Sequence, residues 1–142
     1  MNAFRIGSAV VLRTKGLKGD PGYFVSSFAA LTNGAAQIVT SKVSFDKSTA
    51  KGMTVVDSAI VLPTHGWYAA NFKVDAPGSF KLLNNGLAIP GSIFASPSIV
   101  MGRVIFSGHK GDKITLVNNT LTPIALKKVA ENAVLDVVFY AT

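Results

Sequence analysis

The sequence contains no cysteine in its 142 residues. Disulfides and thiolate metal sites are excluded, so burial and hydrogen bonding must hold the fold. Charge is also scarce. Charged residues make up 15% of the chain against 49% hydrophobic, where an average soluble domain carries about 25% charged residues. Acids are the scarcer sign: Asp20, Asp46, Asp57, Asp75, Asp112, Glu131 and Asp136 are scattered, with no two in an obvious cluster. A calcium loop, which gathers several carboxylates, is not expected from that spacing. No apolar run approaches the roughly 18 residues of a membrane span, and Met1 to Val11 lack the pattern of a secretory leader. No membrane span and no export by that route are therefore expected.

What is present is one domain's worth of chain with an apolar excess. So few charges clothe a small β domain poorly, and burying part of the surface against another copy is the usual remedy. The formal charge of +7 permits attraction to nucleic acid, anionic lipid or an acidic protein lattice without choosing among them. The basic residues are dispersed, with no block of five and no arginine-rich helix, which disfavours nucleic acid as a partner. Residues 1–22 differ from the rest, placing Arg5, Arg13, Lys15 and Lys18 against Asp20 alone. They are read as a basic N-terminal arm or collar, preceding a domain over residues 23–142.

Helix signals are nearly missing. Short apolar segments rich in β-branched residues alternate with Gly, Pro, Asn or Asp at intervals of about 8–12 residues, the cadence of a β sandwich or barrel. Strands are expected at Tyr23 to Leu31, Gln37 to Ser44, Val55 to Leu62, Gly66 to Val74, Phe80 to Asn84, Leu87 to Ile89, Ser98 to Phe106, Lys113 to Asn118, Leu121 to Lys127 and Val134 to Tyr140. Asn84-Asn85-Gly86 supplies the positive φ angles of a hairpin turn. The stretch Ile124 to Asn132 has partial helical spacing but lies between strand signals and is read as loop or strand. The closing strand is apolar on both faces, which fits the middle of a sheet or a subunit interface.

Four segments in order carry a family likeness: Ile60-Val61-Leu62-Pro63 with Gly66-Trp67-Tyr68, Leu82-Leu83-Asn84-Asn85-Gly86 with Ile89-Pro90-Gly91-Ser92, Gly111-Asp112-Lys113-Ile114-Thr115-Leu116, and Ala133 to Tyr140. From Gln37 onward the chain resembles the complement/TNF-like jelly roll, most of all the bacterial and phage members that cap collagen-like stalks. Gly16-Leu17-Lys18-Gly19-Asp20-Pro21-Gly22 holds glycine at every third position. It reads either as a flexible turn or as a remnant of such a stalk joint. The resemblance implies an all-β, two-sheet antiparallel jelly-roll sandwich of about ten strands and a threefold homotrimer. Tyr68, Phe72, Leu135, Val137, Phe139 and Tyr140 are the residues expected at the trimer interface.

No catalytic arrangement emerges. His65 and His109 each sit beside glycine in an expected turn, and Asp112 follows His109 by three residues without a further ligand at metal spacing. Ser44-Phe45-Asp46-Lys47 matches Ser-x-x-Lys without its companion motifs. Trp67 and Tyr68 point to opposite faces of one strand and do not form a stacking platform. No enzyme, cofactor or metal is expected. The expectation is a structural trimer on a virion surface, as a phage head fibre, capsid decoration or tail-associated protein. Its arm would hold a capsid or other particle lattice. The alternative is a trimeric lectin-like or receptor-binding adhesion module on a virion, spore or cell surface, recognising a cell-surface glycan.

Overall fold

The computed structural model describes residues 27–142, in which the regular structure is β throughout. The boundary expected at residue 22, the arm residues Arg5, Arg13, Lys15 and Lys18, and the first residues of the strand expected from Tyr23 lie outside the described residues. In chain order the strands are β1 (Phe28–Asn33), β2 (Gln37–Val39), β3 (Lys47–Lys51), β4 (Thr54–Val56), β5 (Ala59–Val61), β6 (Gly66–Val74) and β7 (Gly78–Asn84). They continue with β8 (Leu87–Ala88), β9 (Phe94–Ser96), β10 (Val100–Gly108), β11 (Lys113–Asn118), β12 (Ile124–Leu126) and β13 (Ala133–Ala141).

Two antiparallel sheets dominate. One runs β10-β6-β13-β1-β3, and the other β4-β5-β11-β7-β8 with β9 also on β7; β12 and β2 form a small separate ribbon. The first described strand thus pairs with the last, and the last also pairs with β6. These are the crossed connections of a jelly roll. The count exceeds the expected ten because one expected strand is split by a turn and because β3 and β9 were not expected. Asp57 and Ser58 both adopt positive φ, 50° and 60°, splitting the expected strand Val55 to Leu62 into β4 and β5. Between β7 and β8, Asn85 (φ 53°) and Gly86 (φ 85°) make the two-residue hairpin turn that the sequence predicts.

Period-two alternation fixes which side chains meet between the sheets. Leu31, Tyr68, Phe72, Leu135 and Val137 from the five-stranded sheet pack against Ile60, Phe80, Leu82, Ile114 and Leu116 from the other, all of them buried. Each such side chain contributes about 1.5–3 kcal/mol of transfer free energy. The one buried polar pair near this core is paired internally: Asn33 Nδ2 donates to Asn132 Oδ1 at 2.9 Å, and both amides donate to the Ala35 carbonyl. This pair ties the end of β1 to the turn that starts β13.

Gly102 shows how tightly the edge strand sits. It lies opposite Phe72 on β6, and a Cβ there would run into the rings of Phe94 and Phe72. Replacing Gly102 with alanine is expected to lower unfolding stability by about 1–3 kcal/mol, read from urea titration. An unchanged midpoint would show that the Phe94 ring swings aside freely.

Candidate functional site

The other face of the five-stranded sheet has a make-up unusual for a solvated surface. The registers align three rows across it. One runs Lys51, Phe28, Val138, Ala69 and Ile105; a second runs Lys47, Thr32, Val134, Lys73 and Met101; between them lie Thr49, Ala30, Asp136, Asn71 and Arg103. At one end of the sheet Trp67 and Tyr140 add two aromatic rings, Tyr140 at the irregularity between Phe139 and Ala141. Met101 is 66%, Ile105 53%, Trp67 48% and Tyr140 65% exposed. Large apolar side chains concentrated on one sheet face mark an interaction surface rather than scattered exposure.

The apolar surface continues around the β10 edge. Leu87, Ile93 and Ile99 are all exposed there, and an open depression of about 430 Å³ lies between the β7–β8 hairpin and β10, lined by Leu87, Ile89, Pro90 and Ile105 among others. Strand β10 has a sheet neighbour on one side only, which leaves backbone groups available to a partner.

Five charges interrupt the face: Lys47 and Lys51 on β3, Lys73 on β6, Asp136 on β13 and Arg103 on β10. Asp136 sits on the central strand with Ala30 on one side and Asn71 on the other, and Arg103 lies beyond Asn71 on the edge strand. Burial raises the Asp136 carboxyl to about 6, and the negative charge of Glu131 adds to the rise. A carboxylate drawn away from water loses hydration, and no described cation lies within ion-pairing distance of Asp136 to restore it. Among the described residues the ion pairs are Lys42–Asp57 at 3.1 Å and His109–Asp112 at 3.9 Å, so neither Asp136 nor Arg103 is matched by another described residue.

The residues expected at an interface fall on the inward half of the alternation. Tyr68, Leu135 and Val137 have no exposure and Phe72 has 3%, so they have no surface to give another copy. Tyr68 stacks on Phe106 and meets the edge of Phe139, with its hydroxyl donating to the Thr64 carbonyl at 2.7 Å. Phe139 is partly buried against this core. Tyr140 alone of the six projects outward. The reason is physical: strands apolar on both faces place the uniformly apolar half inside, and the half carrying Lys73, Asn71 and Asp136 outside. Those polar interruptions were the sequence signal for the outer face.

Comparison with known proteins places the fold. No family model and no curated protein matches the sequence. Solved structures do match. The globular domain of zebrafish complement 1qA superimposes with a TM-score of 0.63 at 14% identity, covering 82% of this chain and 99% of that one. Bushbaby GITRL gives 0.59 at 15% identity, covering 82% and 95%. Eiger TNF from S. frugiperda gives 0.59 at 14%, covering 82% and 94%. The chain therefore has the complement/TNF-like jelly-roll fold.

The histidines lie at one end of the sandwich. The His65 and His109 rings are 4.9 Å apart, beside the turn that holds Asp112. Asp112 is a turn anchor: Oδ2 accepts from the His109 backbone N–H at 2.9 Å and from Asn84 Nδ2 at 3.0 Å, and Oδ1 accepts from Asn85 Nδ2 at 2.9 Å. Burial pushes its carboxyl upward, but these three donors outweigh that and hold it below the ordinary value. With its lone pairs engaged, Asp112 has little left for a metal, and no group of three or more His, Asp or Glu is placed to hold one among the described residues. A lowered native value means that its stabilisation is present above the ordinary value of 3.8 and is lost as pH falls through the native one. Asp112→Ala is expected to cost about 1–3 kcal/mol at pH 7. Asp112→Asn should lessen the fall in stability below about pH 4 that the wild type shows in urea titrations. A variant with the wild-type midpoint at pH 7 would refute the anchoring role.

Proposed function

We propose that this chain is a non-enzymatic protein that self-assembles as a homotrimer through the outer face of its five-stranded sheet and the adjoining β10 edge. It serves as the knob of a larger surface assembly, with a virion as the setting that best fits the sequence. The observation that carries the reading is the set of exposed apolar residues Trp67, Met101, Ile105 and Tyr140 on one sheet face. Scattered acids, and an Asp112 committed to its turn, favour a role without chemistry.

Size and symmetry support a ring. Five strands at about 4.8 Å spacing and about seven residues of about 3.3 Å give a face on the order of 500–600 Å². That falls short of the about 800 Å² per partner of a standard interface. The Leu87, Ile93 and Ile99 edge extends it. Face and edge are different surfaces, so face meeting edge is a heterologous contact, which either closes into a ring or grows without limit. Threefold closure is the ring that the resemblance implies. The basic residues Arg5, Arg13, Lys15 and Lys18 supply a counterpart for an acidic particle lattice.

Light scattering at micromolar concentration should return three times the 14.9 kDa chain mass. Ile105→Glu and Met101→Glu should each return the single mass with an unchanged far-UV circular dichroism spectrum. A wild-type chain that stays monomeric would refute the reading. Removal of residues 1–22 should leave the trimer intact and abolish binding to the particle, and undiminished binding would refute the attachment role.

A further inference from the structure

We infer that Arg103 of each copy pairs with Asp136 of the next, so that one ion pair per interface sets the register of the assembled ring. The inference rests on the trimer proposed above. Its starting point is the polar row across the outer face: Thr49, Ala30, Asp136, Asn71, Arg103. The rows on either side supply Phe28, Val138, Ala69 and Ile105 with Lys51 at the β3 edge, and Val134 and Met101 with Thr32, Lys73 and Lys47. A copy laid over the centre of this face removes Asp136, the one acid in these rows, and an overlying Arg103 from water, and a charge buried singly opposes association strongly. Pairing them resolves both.

Geometry favours pairing between copies. Within one copy Arg103 and Asp136 are two strands apart, about 10 Å at ordinary strand spacing, with Asn71 between them. Arg103 is exposed on the sheet's edge strand and can extend over that edge, whereas Asp136 lies on the central strand where the next copy's edge would rest. One residue at the edge and its counterpart at the centre is the arrangement of a heterologous contact. Each copy then gives its arginine to one neighbour and its carboxylate to the other. A planar guanidinium on a carboxylate also fixes orientation, which apolar contact alone leaves loose.

The pair makes assembly depend on pH, with a definite sign. The charged groups around Asp136 are Lys73 on β6, Arg103 on β10, Lys47 and Lys51 on β3, and Glu131 just before its own strand; the facing β1 positions Phe28, Ala30 and Thr32 are uncharged. In the free copy burial and Glu131 raise Asp136 to about 6. A guanidinium on the carboxylate favours the ionised form, so assembly releases protons. Assembly therefore strengthens as pH rises through about 6 and weakens below it. Burial of Asp136 without a cation would give the opposite dependence.

The test is sedimentation of the full chain at pH 7.5 and pH 5.0 over a concentration series. Wild type should require at least tenfold more protein for half-assembly at pH 5.0. Asp136→Asn and Arg103→Met should each raise the requirement at least tenfold at pH 7.5, with thermal unfolding of the monomer verifying the fold. The reversed pair, Asp136→Arg with Arg103→Asp, should recover most of the loss. The apolar pair, Asp136→Leu with Arg103→Met, should assemble with no pH dependence in this range while retaining every other titratable group. A wild-type trimer that tightens at pH 5.0, or single variants that assemble as well as wild type, would overturn the pairing alone. A wild type that is monomeric at both pH values would overturn the trimer and the pairing together.

Discussion

Strand β13 is hydrogen-bonded along its length on both sides, to β1 and to β6. Its inward residues Ala133, Leu135 and Val137 are without exposure. The last strand of the chain is thus the middle plank of the five-stranded sheet. The core between the sheets cannot close until it arrives, and its partner β1 lies about a hundred positions earlier. Such pairing brings the entropic cost of a long closed loop before any burial offsets it. The Asn33–Asn132 amide pair holds the same two strands at their other end. Apolar burial and a satisfied polar pair therefore secure one junction, where a jelly roll without disulfides has the most to lose.

A strand committed on both edges still has two faces, and this dictates where interaction can occur. The inner face fills the core with Tyr68, Phe72, Leu135 and Val137. The outer face receives whatever the alternate positions hold: Trp67, Ala69, Asn71 and Lys73 on β6, and Val134, Asp136, Val138 and Tyr140 on β13. A solvated sheet face would carry polar residues at most of these places. Here the apolar residues outnumber the polar ones, so the same alternation that builds the core leaves a second apolar layer outside it.

The sequence made some of this plain and hid the rest for physical reasons. Gly66–Val74 and Lys113–Asn118 are legible to the residue, because turns bound them and their inward positions are uniformly apolar. The Asn85-Gly86 turn is legible because few residues take positive φ at low cost. Strand β3, Lys-Ser-Thr-Ala-Lys, is not: all five residues are exposed, and it exists by pairing with β1 rather than by any burial of its own. The Asp57-Ser58 turn hid inside an apolar run, since neither glycine nor proline announces it. The orientation of the two-faced strands was the costliest ambiguity. Large aromatics such as Tyr68 and Phe72 suit a core and an interface equally, and only the polar residues interspersed on the opposite half decide which is which.

Those polar residues also say something about the outer layer. A chain with seven acids spends them sparingly. Asp57 meets Lys42 at 3.1 Å, and Asp112 braces a turn that holds its charge in place. Asp136 is different, because its surroundings penalise its charge. Within a single copy an alanine or valine there would suit the neighbouring Ala30 better. An ionisable group held at a cost on an apolar face is best understood through what it excludes. A purely apolar face slides and accepts any apolar partner, while a face with one charge at its centre accepts only a partner that brings the opposite charge to that point. Arg103, on the edge of the same sheet, is such a charge, and it is carried by every copy.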